Sequence, residues 1–229
     1  MINVISTFYI SKYSSEMDSE RSKEIETALL NNVNSPLIKK IHLFVDDNEA
    51  LERLHALTTH SDKISVIAVG TKPKYTDFFR YILEHLNNDI CMIINADIYL
   101  LECEERLLEK LKYEKCCYAL TRYEHNMSTW LIDDYCGSHD AYIFNSSYLN
   151  ATILNDHADF YQNTLGIESH LIKNFCDNGY AAVNPCKQIK IVHLHKTELR
   201  NHLAWVGLHN WGDYEHHRKN CWWVPPGII

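Results

Sequence analysis

The chain has 229 residues, 46% of them apolar and 23% charged, with a formal charge of 22 − 30 = −8 at neutral pH. That size suits one large domain or two small ones, and 7 Gly and 5 Pro argue against collagen, low-complexity linkers and a disordered tail. Acidity without a basic run argues against sequence-independent nucleic-acid binding, and no window holds the roughly 18 apolar residues of a membrane span.

Ile2 to Ile5 reads as a first strand. Asp18 or Ser19 can cap a helix in which Ile25, Ala28, Leu29 and Val33 recur at helical spacing. Asn34-Ser35-Pro36 stops it, because the residue before proline is pushed out of the α region. Ile41 to Val45 is the next strand, 48–57 a polar helix, and Ile64 to Val69 a third strand. Tyr75 to Leu86 predicts a helix with Phe78, Phe79, Ile82, Leu83 and Leu86 on its buried side. Cys91 to Ile94 is a short continuous apolar run, as a central strand covered on both faces requires. Alternating strands and helices imply parallel pairing with helices on both sheet faces. Beyond this point strands are expected near 117–121, 141–144, 181–183 and 189–194, and a helix near 166–178. The Trp- and His-rich tail after about 203 has no assignment. No linker or repeat interrupts the chain, so one α/β domain is expected. Met1 to Thr7 lacks the basic start and cleavage site of a signal peptide, which together with the missing span predicts a soluble cytoplasmic protein.

The eight Cys show no CxxC pair and no zinc-finger spacing, and read as reduced, mostly buried thiols. Of the 14 His, the pair His216 and His217 reads as surface, whereas His193 and His195 close a strand with their rings on one face. Either or both of that pair could reach a metal.

In an open parallel sheet, ligands bind beyond the carboxyl ends of the strands. The residues there are Ser6-Thr7-Phe8-Tyr9, Asp46-Asp47, Gly70-Thr71-Lys72 and Asn95-Ala96-Asp97. An acid at the end of a buried central strand is desolvated unless it is paired or metal-bound, so Asp97 is either a ligand or the cap of the next turn. Asp140, at the mouth of the run Ala141 to Phe144, is a site acid or a turn aspartate. Glu168 opens a helix, where an acid also simply suits the positive helix end. Lys196 and Arg200 follow the His pair and could neutralise phosphate oxygens.

These segments together resemble small single-domain GT-A-fold glycosyltransferases of the kind found in bacterial polysaccharide loci and large DNA viruses. The matching stretches are Arg21-Ser22-Lys23-Glu24-Ile25, Asn95-Ala96-Asp97-Ile98-Tyr99, Ala119 to Glu124, and Gly137 to Phe144. Gly179-Tyr180, Asn184-Pro185-Cys186 and His193-Leu194-His195-Lys196 with Arg200 complete the set. The resemblance implies a GT-A-like, Rossmann-like, mostly parallel sheet in one domain spanning 1–229. Its nucleotide-binding half covers about 1–100, its acceptor side about 101–202, and a tail 203–229.

It further implies a metal-dependent hexosyl- or pentosyltransferase. Such an enzyme moves sugar from a nucleotide-sugar donor, UDP-sugar favoured, to a glycan or glycolipid acceptor, with Mn²⁺ or Mg²⁺ as cofactor. The usual Asp-x-Asp is Asn95-Ala96-Asp97 here, so Asp97 is the implied metal ligand, with His193 or His195 supplying what the amide cannot. Asp140 matches the general base of inverting members, which implies inversion at the anomeric carbon. Glu168 would hold hydroxyls or share that role, and His139 lies on the same acceptor side. Thr7, Phe8 and Tyr9 would line the base pocket, with Asp46 at ribose or uracil and Asn95 at ribose or a metal-bound water. Arg80, Lys196 and Arg200 would meet sugar or phosphate, with Lys72 a further candidate. The competing readings are a non-catalytic carbohydrate-binding or assembly protein on the same fold and a sugar-phosphate nucleotidyltransferase. The latter needs a Gly-rich, basic loop where this chain has Thr7 to Ser11.

Overall fold

The structure, a computed structural model, describes residues 1–12, 15–58, 61–134, 138–162, 164, 166–195 and 224–229, with 15–18 described in backbone alone. Strand β1 (Ile2–Thr7) leads to helix α1 (Ser15–Asn34), then β2 (Ile38–Val45), α2 (Asn48–Thr58), β3 (Ile64–Ala68), α3 (Tyr75–His85) and β4 (Ile90–Ile94). The second half holds β5 (Ile98–Cys103), α4 (Glu105–Lys110), β6 (Cys116–Leu120), β7 (Tyr123–Glu124), α5 (Trp130–Asp133) and β8 (Ala141–Asn145). Helix α6 (Ile167–Asp177), β9 (Ala181–Val183) and β10 (Ile189–His193) follow. Helix α1 begins a turn before Asp18. Residues 98–110, which the sequence reading passed over, form β5 and α4.

A seven-stranded sheet runs in the order β3-β2-β1-β4-β8-β6-β9. Its pairs are parallel except where β8 lies antiparallel between β4 and β6. Strand period two sorts its side chains into two cores. Ile90, Met92 and Ile94 join Val4, Ile25, Leu29 and Leu54 on the face covered by α1 and α2. Cys91 and Ile93 join Ile5, Phe78, Phe79, Phe144, Leu171 and Phe175 under α3 and α6. Each fully buried aromatic or aliphatic side chain contributes about 1.5–3 kcal/mol by leaving water. Cys91, Cys116, Cys117 and Cys186 are buried free thiols and Cys103 is a half-buried one.

A second, three-stranded sheet has the order β5-β10-β7. Its open edge, β5, is pinned by buried Asn32 of α1, whose Nδ2 donates to the Ile98 carbonyl at 3.0 Å while its Oδ1 accepts from the Leu100 amide at 3.0 Å. Among the described residues no helix is long and apolar enough to cross a membrane.

Candidate functional site

Strand register assembles the site. The chain leaves β1 toward β2 on one side and returns to β4 on the other, so the crevice between β1 and β4 is the topological switch point where ligands of open α/β sheets bind. Ala141 at the start of β8 pairs with Ile94 at the end of β4 and with Leu120 at the end of β6. Thr7, Asn95–Asp97, Thr121–Glu124 and Ser138–Asp140 therefore share one sheet edge. Strand β10 then sets His193 opposite Ile98 on one side and Glu124 on the other.

Asp97 is buried, and its Oδ2 accepts from Arg21 Nη2 at 2.7 Å and from His193 Nε2 at 2.8 Å. Burial alone would raise this carboxyl, but the His193 hydrogen bond and the His193 and Arg21 charges outweigh it and hold it well below the usual carboxylate range. Desolvation likewise opposes the His193 cation, yet the bonds to Asp97 and, at 3.4 Å, to Glu124 push its pKa up to about 9. The His195 ring stacks on His193 with centroids 4.9 Å apart, and burial followed by the His193 charge keeps its pKa low.

Asp140 is equally enclosed. Its Oδ1 accepts from Arg122 Nη1 at 2.9 Å and its Oδ2 from the Ser138 hydroxyl. Arg122 Nε donates to Glu124 Oε1 at 3.1 Å, and the Glu124 carboxyl is held down to about 2, first by its bond to His193 and then by Arg122 against a burial penalty. The result is a continuous chain of charged contacts, Arg21–Asp97–His193–Glu124–Arg122–Asp140. Alternating signs compensate each buried charge, since a lone one in such a place would be far too costly.

Glu168 sits in the first turn of α6, which starts at Gly166 in the left-handed region with φ 87°, a conformation that favours glycine. Half-buried by surface but ringed by protein, its carboxyl is pushed up to about 8, first by desolvation and then by the Asp140 charge, with Arg122 partly offsetting. On the β1 side, Thr7 Oγ1 donates to Gln162 Oε1 at 2.9 Å. The Ile94 carbonyl at the end of β4 accepts from Ser6 Oγ at 2.8 Å and Gln162 Nε2 at 3.0 Å. Tyr9 meets Arg21 through its hydroxyl at 3.5 Å. Asn95 lies in the same edge, its amide donating to the Asp140 carbonyl at 3.4 Å.

Four expected residues lie outside these contacts. Phe8 is buried in the core beneath α1, where a phenyl ring gains from leaving water, and borders a small cavity with Thr7 and Asn95. Arg80 is exposed on α3 and pairs with Asp77 at 3.0 Å, since its helical phase is opposite that of Phe78 and Ile82. Asp46 is exposed after β2, and it is Asp47 whose carboxylate caps α2 by accepting from the Glu49 amide at 2.8 Å. His139 is buried, with Nδ1 on the Ala119 carbonyl at 3.1 Å and Nε2 accepting from the Val224 amide at 3.2 Å. Burial holds its pKa down to about 4, so it is a neutral group of the interior. Lys72 rests on the Tyr161 ring at 5.3 Å. Lys196, Arg200 and the tail expected at 203–223 lie outside the described residues.

Sequence reasoning gave no role to Arg21, Arg122, Glu124 and Gln162. Arg21 did leave a signal: it falls on the same helical stripe as Ile25 and Ala28, and a charge on a buried stripe needs a buried partner.

Asp97, His193 and His195 are the one group of three among the described residues whose ligand atoms converge, all within 4.8 Å of one another. One carboxylate and two imidazoles form a donor set that first-row divalent ions accept. Because an arginine only donates, the His195 Nδ1 lone pair is the acceptor in its 3.2 Å contact with Arg21 Nη1. His195 is thus already in the form a metal needs. The residues fit a divalent cation, for which His193 would give up the proton that its Nε2 shares with Asp97.

No family model and no curated protein matches this chain. Solved structures do. A mannosyltransferase from Pyrobaculum calidifontis, in complex with GDP-mannose and Mn²⁺, superposes with a TM-score of 0.53 at 14% identity, covering 87% of this chain and 58% of its own. TarS from S. aureus gives 0.54 at 10% identity over 84% and 60%. A 4-diphosphocytidyl-2C-methyl-D-erythritol synthase from Anaerococcus prevotii scores lower, 0.46 at 15% identity over 80% and 86%. The chain spans about six-tenths of the length of the first two. The fold is GT-A-like, the fold of nucleotide-sugar transferases.

Proposed function

We propose that the chain is a metal-dependent glycosyltransferase that moves a hexosyl or pentosyl group from a nucleotide-sugar donor, UDP-sugar favoured, to a glycan or glycolipid acceptor. The observation that carries the reading is the chain of charged contacts from Asp97 to Asp140. It links, through His193, Glu124 and Arg122, the two carboxylates that we read as metal-side and base-side acids. The mannosyltransferase of like fold, crystallised with a nucleotide sugar and Mn²⁺, supports the choice of donor class and ion.

Asp97, His193 and His195 would hold the ion, and two imidazoles favour Mn²⁺ over Mg²⁺, which prefers oxygen ligands. A bound divalent ion supplies charge to a departing diphosphate. Thr7, Tyr9 and Asn95 are the residues we assign to the nucleoside and ribose, with Thr7 oriented by Gln162. Arg122 holds the Asp140 side chain in place, and an acceptor hydroxyl that hydrogen-bonds to Asp140 would lose its proton as the new glycosidic bond forms, inverting the anomeric centre. Both Asp140 oxygens already accept hydrogen bonds from Arg122 and Ser138, whereas the Glu168 carboxyl is pushed up to about 8. That contrast favours Glu168 as a sharer of the base role.

A screen of nucleotide sugars for slow donor hydrolysis with Mn²⁺ tests the proposal. One donor should be hydrolysed, and Asp97→Asn should abolish turnover. A non-catalytic carbohydrate-binding protein is the second reading, favoured by the internal neutralisation of Asp97 through Arg21 and His193. Glycan binding that survives Asp140→Asn, with no donor ever turned over, would establish it.

A further inference from the structure

We infer that Arg21 keeps a bare divalent ion off Asp97 and gives up its place only when the ion arrives together with the donor's diphosphate. The inference rests on the metal-dependent reading above and adds an order of binding to it.

Arg21 is buried, and its guanidinium touches two of the three side chains that would ligate the ion. Nη2 donates to Asp97 Oδ2 at 2.7 Å, and Nη1 donates to His195 Nδ1 at 3.2 Å. An ion at Asp97, His193 and His195 draws on one atom of each residue, and Arg21 already engages a lone pair on two of the three. The guanidinium does not shed its proton in a protein, so it cannot clear the site by titrating; it has to move. An ion entering alone would also sit a few ångströms from a fixed positive charge in a buried place, where repulsion is poorly screened.

A diphosphate changes the balance. Its oxygens bring negative charge, and the planar guanidinium fork binds phosphate oxygens in pairs. Arg21 can then exchange the Asp97 carboxylate for phosphate oxygen, leaving Asp97 Oδ2 to the ion. Two further contacts hold Arg21 at the mouth during that exchange: Nη1 donates to Glu24 Oε2 at 3.0 Å and Nη2 to the Tyr9 hydroxyl at 3.5 Å. Exchange of this kind is reciprocal, so nucleotide strengthens ion binding by the same factor as ion strengthens nucleotide binding.

The test titrates Mn²⁺ into the full chain, following free Mn²⁺ by electron paramagnetic resonance, with and without UDP, and with GDP in place of UDP. Wild type should bind Mn²⁺ at least tenfold more tightly with the matching nucleoside diphosphate than alone. Arg21→Gln should bind bare Mn²⁺ at least tenfold more tightly than wild type, and its thermal midpoint should rise with Mn²⁺ alone while that of wild type does not. Arg21→Lys retains a charge and secures the fold, but one ammonium cannot span Asp97 and His195, so bare Mn²⁺ affinity should rise at least threefold. If neither variant exceeds wild type while Mn²⁺ with nucleotide still binds in an Asp97-dependent way, the role of Arg21 is overturned and the metal site stands. If no protein binds Mn²⁺ with or without nucleotide, the metal reading itself is overturned.

Discussion

Arg122 is the residue whose loss should be felt most widely, because it joins the two halves of the site. Its side chain is 17% exposed and reaches Asp140, 6% exposed, at 2.9 Å and Glu124, 18% exposed, at 3.1 Å. Arg122→Met keeps most of the apolar stem but leaves two enclosed carboxylates facing one another without their shared cation. Removing one partner of a buried ion pair typically costs about 3–5 kcal/mol. For a chain of this length 1 kcal/mol shifts the thermal midpoint by about 2–4 °C, so the midpoint should fall by roughly 6–20 °C. Urea denaturation of four proteins checks it: wild type, Arg122→Met, Asp140→Asn and the double variant. In the double variant the uncompensated charge at 140 is gone, so it should be more stable than Arg122→Met alone, a coupling that adjacent charges produce and distant ones do not. Were Arg122→Met within 1 kcal/mol of wild type, or the two changes additive, the charged chain would not be the continuous buried structure described.

Three further outcomes follow from the same geometry. Glu168 has a folded pKa of about 8 against an unfolded value near 4.5. The folded state therefore binds more protons between those values, and stability should fall as pH rises from about 4.5 to 8 and then level off. Glu168→Gln should flatten that slope, of the order of a few kcal/mol, in denaturation curves taken across the range. If Glu168 shares the base role, donor turnover should rise with pH toward about 8, and Glu168→Gln should remove that limb while retaining nucleotide binding. Asn32→Ala strands the Ile98 carbonyl and the Leu100 amide, so it should cost about 1–3 kcal/mol. Amide exchange should quicken in β5 well before it does in β1 or β4. Phe144→Ala, deep under α6 against Phe175 with centroids 5.0 Å apart, should cost about 3–5 kcal/mol in the same urea assay.

Periodicity made the large sheet readable. Strands β1 to β4 and the helices between them carry clean alternation of apolar runs and helical stripes. The small sheet was not readable in the same way. Ile98 and Leu100 point inward while Leu101 and Glu102 are exposed, a two-residue period hidden behind the more conspicuous Asn95-Ala96-Asp97. Pairings were further out of reach, because Arg21 meets Asp97 across 76 residues and His193 meets Asp97 across 96. Nothing local in the chain states which cation answers which carboxylate. Arg80 is different: the helical phase already turned it away from the buried side of α3, so its exposure was available from the sequence. His139 was not, because the amide that covers its Nε2 comes from Val224, 85 residues on.

The placement of His193 on β10 has a bearing on the life of the protein before it is complete. The ribosome delivers Asp97, Arg122 and Asp140 long before this strand, and the large sheet can assemble up to β9 without it. Until the imidazole between Asp97 and Glu124 emerges, those two acids have no bridge between them.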